Sequence, residues 1–235
     1  MKPSSEISSS EKVIIFDSSA IINFTMNGLL QEFRDLKKMF NGRFIITKPV
    51  KFEIVDKPLE IKKFELEALK IEELIQEGVL EMPESLGINT EEIDRMTREA
   101  NDRANNTFFA RGNPIHIVDL GESSCLMLSK ILSGEGIRNI LCIDERTIRL
   151  LSEKPRNLLE ILERKLHTKV KAKQENFKFF EGFKIIRTSE LIFVAYKNGI
   201  IKLKSKLVLD ALLYALKFHG CSISDEDIAE MKKLG

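Results

Sequence analysis

Apolar residues fall along this chain in two rhythms: short unbroken runs of strand length, and longer stretches where they recur three and four positions apart. Val13-Ile14-Ile15-Phe16 is a β-branched apolar run and predicts a buried strand. It ends at Asp17, and Asp17-Ser18-Ser19 supply capping side chains for a helix that opens with Ala20-Ile21-Ile22. Leu29, Leu30, Phe33, Leu36 and Phe40 continue at helical spacing; Asn41-Gly42 stops them, and Phe44-Ile45-Ile46 makes a second strand. Pro49 suits the first turn of the next helix, which would carry Val50 and Glu53. Helical spacing runs from Leu59 to Gln76, Gly78 ends it, and Val79-Leu80 is read as a further short strand.

The pattern weakens between Ser85 and Val118, where Asn89-Thr90 caps a polar helix over 91–104 and Asn105-Asn106 and Arg111-Gly112-Asn113-Pro114 read as loops. Glu122 to Leu132 is again helical, and Ile140-Leu141-Cys142-Ile143 is a buried strand ending at Asp144. Helices are predicted over 146–151 and 158–166, ahead of a lysine-rich segment over 169–178. Phe183 to Arg187 reads as a strand, Thr188-Ser189 caps a helix over 190–197, and Leu207–Phe218 is the last long helix. Strands alternating with helices imply an α/β fold: a mainly parallel central sheet covered on both faces, in three α/β/α layers.

Composition narrows the class without naming it. At 235 residues, 43% hydrophobic and 31% charged, the chain describes a globular protein with a core. No apolar run reaches the roughly 20 residues of a membrane helix, so no membrane partner is expected. Residues 1–11 are serine-rich without an apolar core, which predicts a frayed tail rather than a signal peptide, and a cytoplasmic protein. Cys125, Cys142 and Cys221 form no CxxC pair and lie in apolar contexts, so they read as buried free thiols. The net charge of +1 hides an asymmetry: residues 53–103 hold 15 acidic and 7 basic side chains, residues 154–206 hold 14 basic and 5 acidic. The basic stretch is either a polyanion-binding wall or a set of solvated faces.

The chemistry is carried by acids. Asp17 and Asp144 each follow a predicted buried strand, and ligands of an open parallel sheet bind outside the carboxyl ends of its strands. Glu53 and Glu122 fall in first turns of predicted helices, on that same edge. Four carboxylates brought together must protonate or recruit cations, and an all-oxygen set selects Mg²⁺ or Mn²⁺ over zinc.

The segments Val-Ile-Ile-Phe-Asp17-Ser-Ser-Ala-Ile-Ile, Pro49-Val-Lys-Phe-Glu53, Leu120-Gly-Glu122-Ser-Ser-Cys-Leu-Met-Leu and Ile143-Asp144-Glu145-Arg-Thr-Ile-Arg149 resemble, in order, the four acidic motifs of the PIN-domain family. Arg187-Thr188-Ser189-Glu-Leu-Ile, with Ala195-Tyr-Lys-Asn-Gly199 after it, resembles that family's strand–threonine–helix ending. The resemblance implies a PIN-like domain over 12–235, interrupted by insertions at about 85–117 and 153–180. It further implies an endoribonuclease in which Asp17, Glu53, Glu122 and Asp144 ligate one or two Mg²⁺ or Mn²⁺ ions and a metal-activated water attacks the phosphodiester. Asp119 is a fifth candidate ligand. Ser18, Arg149 and Thr188 are candidates for holding water or phosphate, with helix cap and salt bridge as the plain alternatives for the first two. Lys171 and Lys173, interleaved with Phe177, Phe179 and Phe180, are candidates for tracking an RNA backbone, unless the phenylalanines are core. Family members often dimerise and toxin members bind an antitoxin peptide, so the expected partners are RNA, a second copy, and an antitoxin-like protein.

Rival readings are an inactive PIN-like scaffold that binds RNA or protein, and a DNA-directed nuclease with the same metal chemistry. A haloacid-dehalogenase-type phosphoryl enzyme is disfavoured because position 19 is Ser where that chemistry wants an acid. No glycine-rich phosphate loop of the P-loop kind occurs.

Overall fold

A computed structural model describes residues 11–235, and most of the predicted tail, residues 1–10, lies outside them. Glu11 is fixed rather than frayed, since its carboxylate accepts a hydrogen bond of 2.6 Å from Arg43.

Four strands form one parallel sheet: β1 (Lys12–Phe16), β2 (Arg43–Ile45), β5 (Arg138–Cys142) and β7 (Ile185–Ile186), in the order β2-β1-β5-β7. Their runs are apolar throughout because a central parallel strand is buried on both faces. Val13 to Phe16 are all buried. β1 leads into α1 (Ser18–Met26), which Asp17 caps by accepting from the Ser19 N–H. Asn27-Gly28 interrupts the helical pattern with Gly28 at φ +69°, and α2 (Leu30–Phe40) follows. Phe16, Phe24, Phe33 and Phe44 interlock at ring distances of 4.8–5.1 Å and tie β1, α1, α2 and β2 together.

After β2 the chain runs through α3 (Lys48–Lys51), a π-helical turn over Phe52–Asp56 and α4 (Lys57–Leu59) without leaving helical geometry. The helix expected over 59–76 is broken at 60–64, so that α5 comprises only Glu65–Gln76. Val79-Leu80 forms no strand. Glu81 makes a single parallel bridge to Ile45, and Pro83 then opens a 3₁₀ turn that ends the pairing.

The two segments set apart as insertions fold against each other. The polar helix α6 (Thr90–Asn105) is capped by Asn89 and leads into β3 (Phe108–Ala110) and β4 (Asn113–Pro114). β3 also pairs antiparallel with β6 (Val170–Ala172), giving a second, three-stranded sheet that the sequence pattern did not announce. Strands of two or three residues are too short to show a period, so Asn113-Pro114 reads as loop and Val170–Ala172 only as part of a lysine-rich segment.

The remaining helices are α7 (Leu120–Gly134), α8 (Arg146–Glu153), α9 (Pro155–Leu166), α10 (Thr188–Lys197), α11 (Val208–Phe218) and α12 (Asp225–Leu234). The last was not anticipated. It opens with Ser224, whose hydroxyl accepts from the Asp227 N–H at 3.0 Å. The strand expected over 183–187 shrinks to two residues because Gly182 turns the chain at φ +90° and Arg187 already belongs to the helix start, donating its N–H to Glu190 at 2.6 Å. No helix among the described residues is long and apolar enough to cross a membrane.

Candidate functional site

All four parallel strands end at one edge, and the chain gathers its acids there. Phe16 pairs with Cys142, and the Asp17 N–H donates to the Cys142 carbonyl at 3.1 Å, so Asp17 and Asp144 leave neighbouring strands side by side.

Asp17 is almost wholly buried. Its Oδ2 accepts from the Ser19 hydroxyl at 2.6 Å and from the Ser19 N–H at 3.1 Å, while Oδ1 is buried with no partner among the described residues. Burial raises its pKa; the hydrogen bonds from Ser19 offset part of that rise, and repulsion from Asp144 adds to it. An orphaned carboxylate oxygen among further acids calls for a cation or a proton.

Glu53 reaches this edge from the π-helical turn after β2. Such a turn widens the helix by one residue and is frequent at functional sites. Its carboxylate lies directly over Gly121, where a Cβ would stand 2.8 Å from either oxygen. Burial raises the Glu53 pKa, Ser18 and the Gly121 N–H pull it back, and the Asp17 and Asp119 charges add to the rise. The approach of the two helices is fixed by hydroxyls. Ser124 donates to the Gly121 carbonyl at 2.6 Å, and Thr47, at the head of α3, meets Ser124 at 2.5 Å.

Glu122 sits in the first turn of α7 with its Oε2 folded back on the Asp119 N–H at 2.9 Å. Burial pushes its pKa up to about 9, helped by repulsion from Asp17, Glu145 and Asp119. Asp119 stays exposed and pairs with His116 at 2.8 Å.

Asp144 is different in kind. It is fully buried, and its side chain accepts three hydrogen bonds: from the Thr188 N–H at 2.7 Å, the Thr188 hydroxyl at 2.6 Å and the Asn23 amide at 2.7 Å. Thr188 is therefore spent on Asp144 and does not face a phosphate. Ser18 opens α1 directly after Asp17 and lowers the Glu53 pKa. Arg149 is placed with Arg146, Ser222 and Asp227 at the start of α12 and lowers the Asp227 pKa along with Arg187; it pairs with none of the four acids. Lys171 and Lys173 lie exposed on and beside β6, where the Lys173 ammonium stands 4.9 Å over Phe109. Phe177 packs on Phe108 at 5.9 Å, and Phe180 is fully buried against Phe179. Phe180 is therefore core, and the half-buried Phe177 and Phe179 pack against that core.

Sequence reasoning missed Asn23 and Ser19 as partners of the acids. Ser19 was legible as the second residue after the acid, where a hydroxyl can fold back on the carboxylate. Asn23 gave no signal, because one polar residue inside an apolar helix reads as exposed, yet it is completely buried.

Two hollows flank Glu53, and both are lined by Glu53 and Lys57. One, of about 780 Å³, adds Lys48, Phe52, His116 and Leu120. The other, of about 540 Å³, is more apolar, with Ile22, Met26 and Phe64. As the side chains stand, no three Asp, Glu, His or Cys among the described residues are gathered as tightly as a metal's ligand shell requires. The chemistry of the donor set nevertheless suits a hard cation: oxygen only, three carboxyls with raised pKa, one oxygen unpartnered.

Comparison with protein-family models, with curated proteins and with solved structures finds no match for this chain.

Proposed function

We propose that this chain is a PIN-like, three-layer α/β/α endoribonuclease dependent on Mg²⁺ or Mn²⁺, acting in the cytoplasm. The observation that carries the reading is the buried, unpartnered Oδ1 of Asp17, at the carboxyl edge of a parallel sheet, within repulsive range of Glu122 and Glu53. Asp17, Glu53 and Glu122 would hold the cation. A cation bound there supplies an activated water and neutralises charge developing on the phosphate.

The chain's own groups do the rest. Ser19 fixes Asp17 through Oδ2, while Oδ1 has no hydrogen-bond partner among the described residues. Lys48 and Lys57 offer positive charge for the flanking phosphates of a single strand, and exposed Phe52 offers a face on which a base can stack. Choosing RNA over DNA rests on the motif resemblance.

The test is cleavage of a fluorescently labelled single-stranded RNA with Mg²⁺, Mn²⁺ or EDTA, by the parent protein and by Asp17→Asn. Cleavage that needs metal and disappears in Asp17→Asn supports the reading. A folded parent protein that binds RNA without cutting it, in any metal, is instead a PIN-like scaffold; cutting that survives Asp17→Asn comes from another site.

A further inference from the structure

Asp144 and Glu145 are adjacent acids at the carboxyl end of β5, and the structure gives them opposite surroundings. The Asp144 side chain is fully enclosed, with one oxygen accepting from the Thr188 N–H and the other from the Thr188 hydroxyl and the Asn23 amide. Its main chain is equally committed: the N–H donates to Ser19 Oγ at 3.2 Å and the carbonyl accepts from the Ser222 N–H at 3.0 Å. Turning this carboxylate toward a cation strands buried donors on α1 and α10, at a cost of about 1–3 kcal/mol for each unpaired group. Asp144 thus joins β5, α1 and α10, and through Ser19 it orients Asp17.

Glu145 is exposed at the head of α8, and among the described residues its only hydrogen-bond partners are local, the N–H of Thr147 and its hydroxyl at 2.9 Å. A solvent-facing cap of this kind is given up for little. Glu145 also lies near enough to Glu122 for their charges to repel. The second pointer to a ligand at this edge is independent of both residues: Asp17 Oδ1, buried and without a partner among the described residues.

We infer that Glu145 is the fourth carboxylate to meet the cation and that Asp144 is a positioning residue, an assignment that rests on reading the edge as a divalent-cation centre. The pair Asp144-Glu145 then divides two tasks, the first acid holding the strand end and the second completing the donor set.

The test is calorimetric titration of Mn²⁺ into the parent protein, Glu145→Ser and Asp144→Asn, with melting curves recorded in EDTA. Serine at position 145 keeps a helix-capping oxygen and removes the carboxylate. The expected result is that Glu145→Ser melts with the parent protein but binds Mn²⁺ at least about ten-fold more weakly, while Asp144→Asn melts lower. If Glu145→Ser binds Mn²⁺ as the parent does, the assignment of Glu145 is wrong and the cation centre stands. If the parent itself binds no Mn²⁺, the assignment falls together with the centre.

Discussion

The Glu53 carboxylate rests on the bare Cα of Gly121, with no room for a single methyl group between them. That contact fixes where the helix from β2 can deliver its acid, and it gives the Gly-Glu pair at the head of α7 a steric reason. Gly121→Ala should displace Glu53 and lower metal-dependent cleavage at least about ten-fold. Stability should hold or rise by up to about 1 kcal/mol, because alanine favours a helix. Wild-type cleavage by this variant, measured beside its urea midpoint, speaks against a role for Glu53 at the site.

Thr188 was expected near the phosphate and instead serves Asp144 with both its N–H and its hydroxyl. Thr188→Val keeps the shape and the N–H but removes one donor to a buried carboxylate. It should cost about 1–3 kcal/mol in chemical denaturation. The KM for RNA should be unchanged; a raised KM at unaltered stability would return Thr188 to the substrate.

The frame of the protein was legible because its elements are long or strongly patterned. The runs at 13–16 and 140–143 read as buried strands, and the acids that follow them do leave one sheet edge. What escaped notice depends on contacts distant in sequence. The pairing of Phe109 with Lys171 joins two segments that each looked like a separate interruption. The enclosure of Asp144 needs Asn23 and Thr188, on either side of it in the chain, and no spacing rule reveals that a strand-terminal acid is already taken. Charge was misleading in its own way, since the lysines over 169–178 are spread along a segment whose Phe177, Phe179 and Phe180 pack toward the core.

Phe180 should therefore behave as core. Phe180→Ala removes a fully buried ring and should destabilise by about 3–5 kcal/mol. RNA affinity of the fraction that remains folded should be unaffected, read by fluorescence anisotropy below the melting transition. A variant of normal stability with weakened RNA binding indicates stacking on a base instead.

Glu122 gives the metal-free protein a pH dependence of definite sign. Its carboxyl titrates near 4.5 in an unfolded chain and at about 9 in the folded one, so between those values the native state holds a proton that the unfolded state releases. The stabilisation is complete below the lower value and is lost as pH rises toward the upper. In EDTA, urea midpoints should fall from pH 5 to pH 9, and Glu122→Gln, neutral throughout, should flatten the decline. An equal decline in both proteins assigns it to other groups.

The most direct measurement is a crystal structure soaked in Mn²⁺ with anomalous data at the manganese edge. The cation reading requires a peak bonded to Asp17 Oδ1 at about 2.1 Å, with Glu122 released from the Asp119 N–H to join it. An empty edge at millimolar Mn²⁺, or manganese bound only away from Asp17, contradicts it.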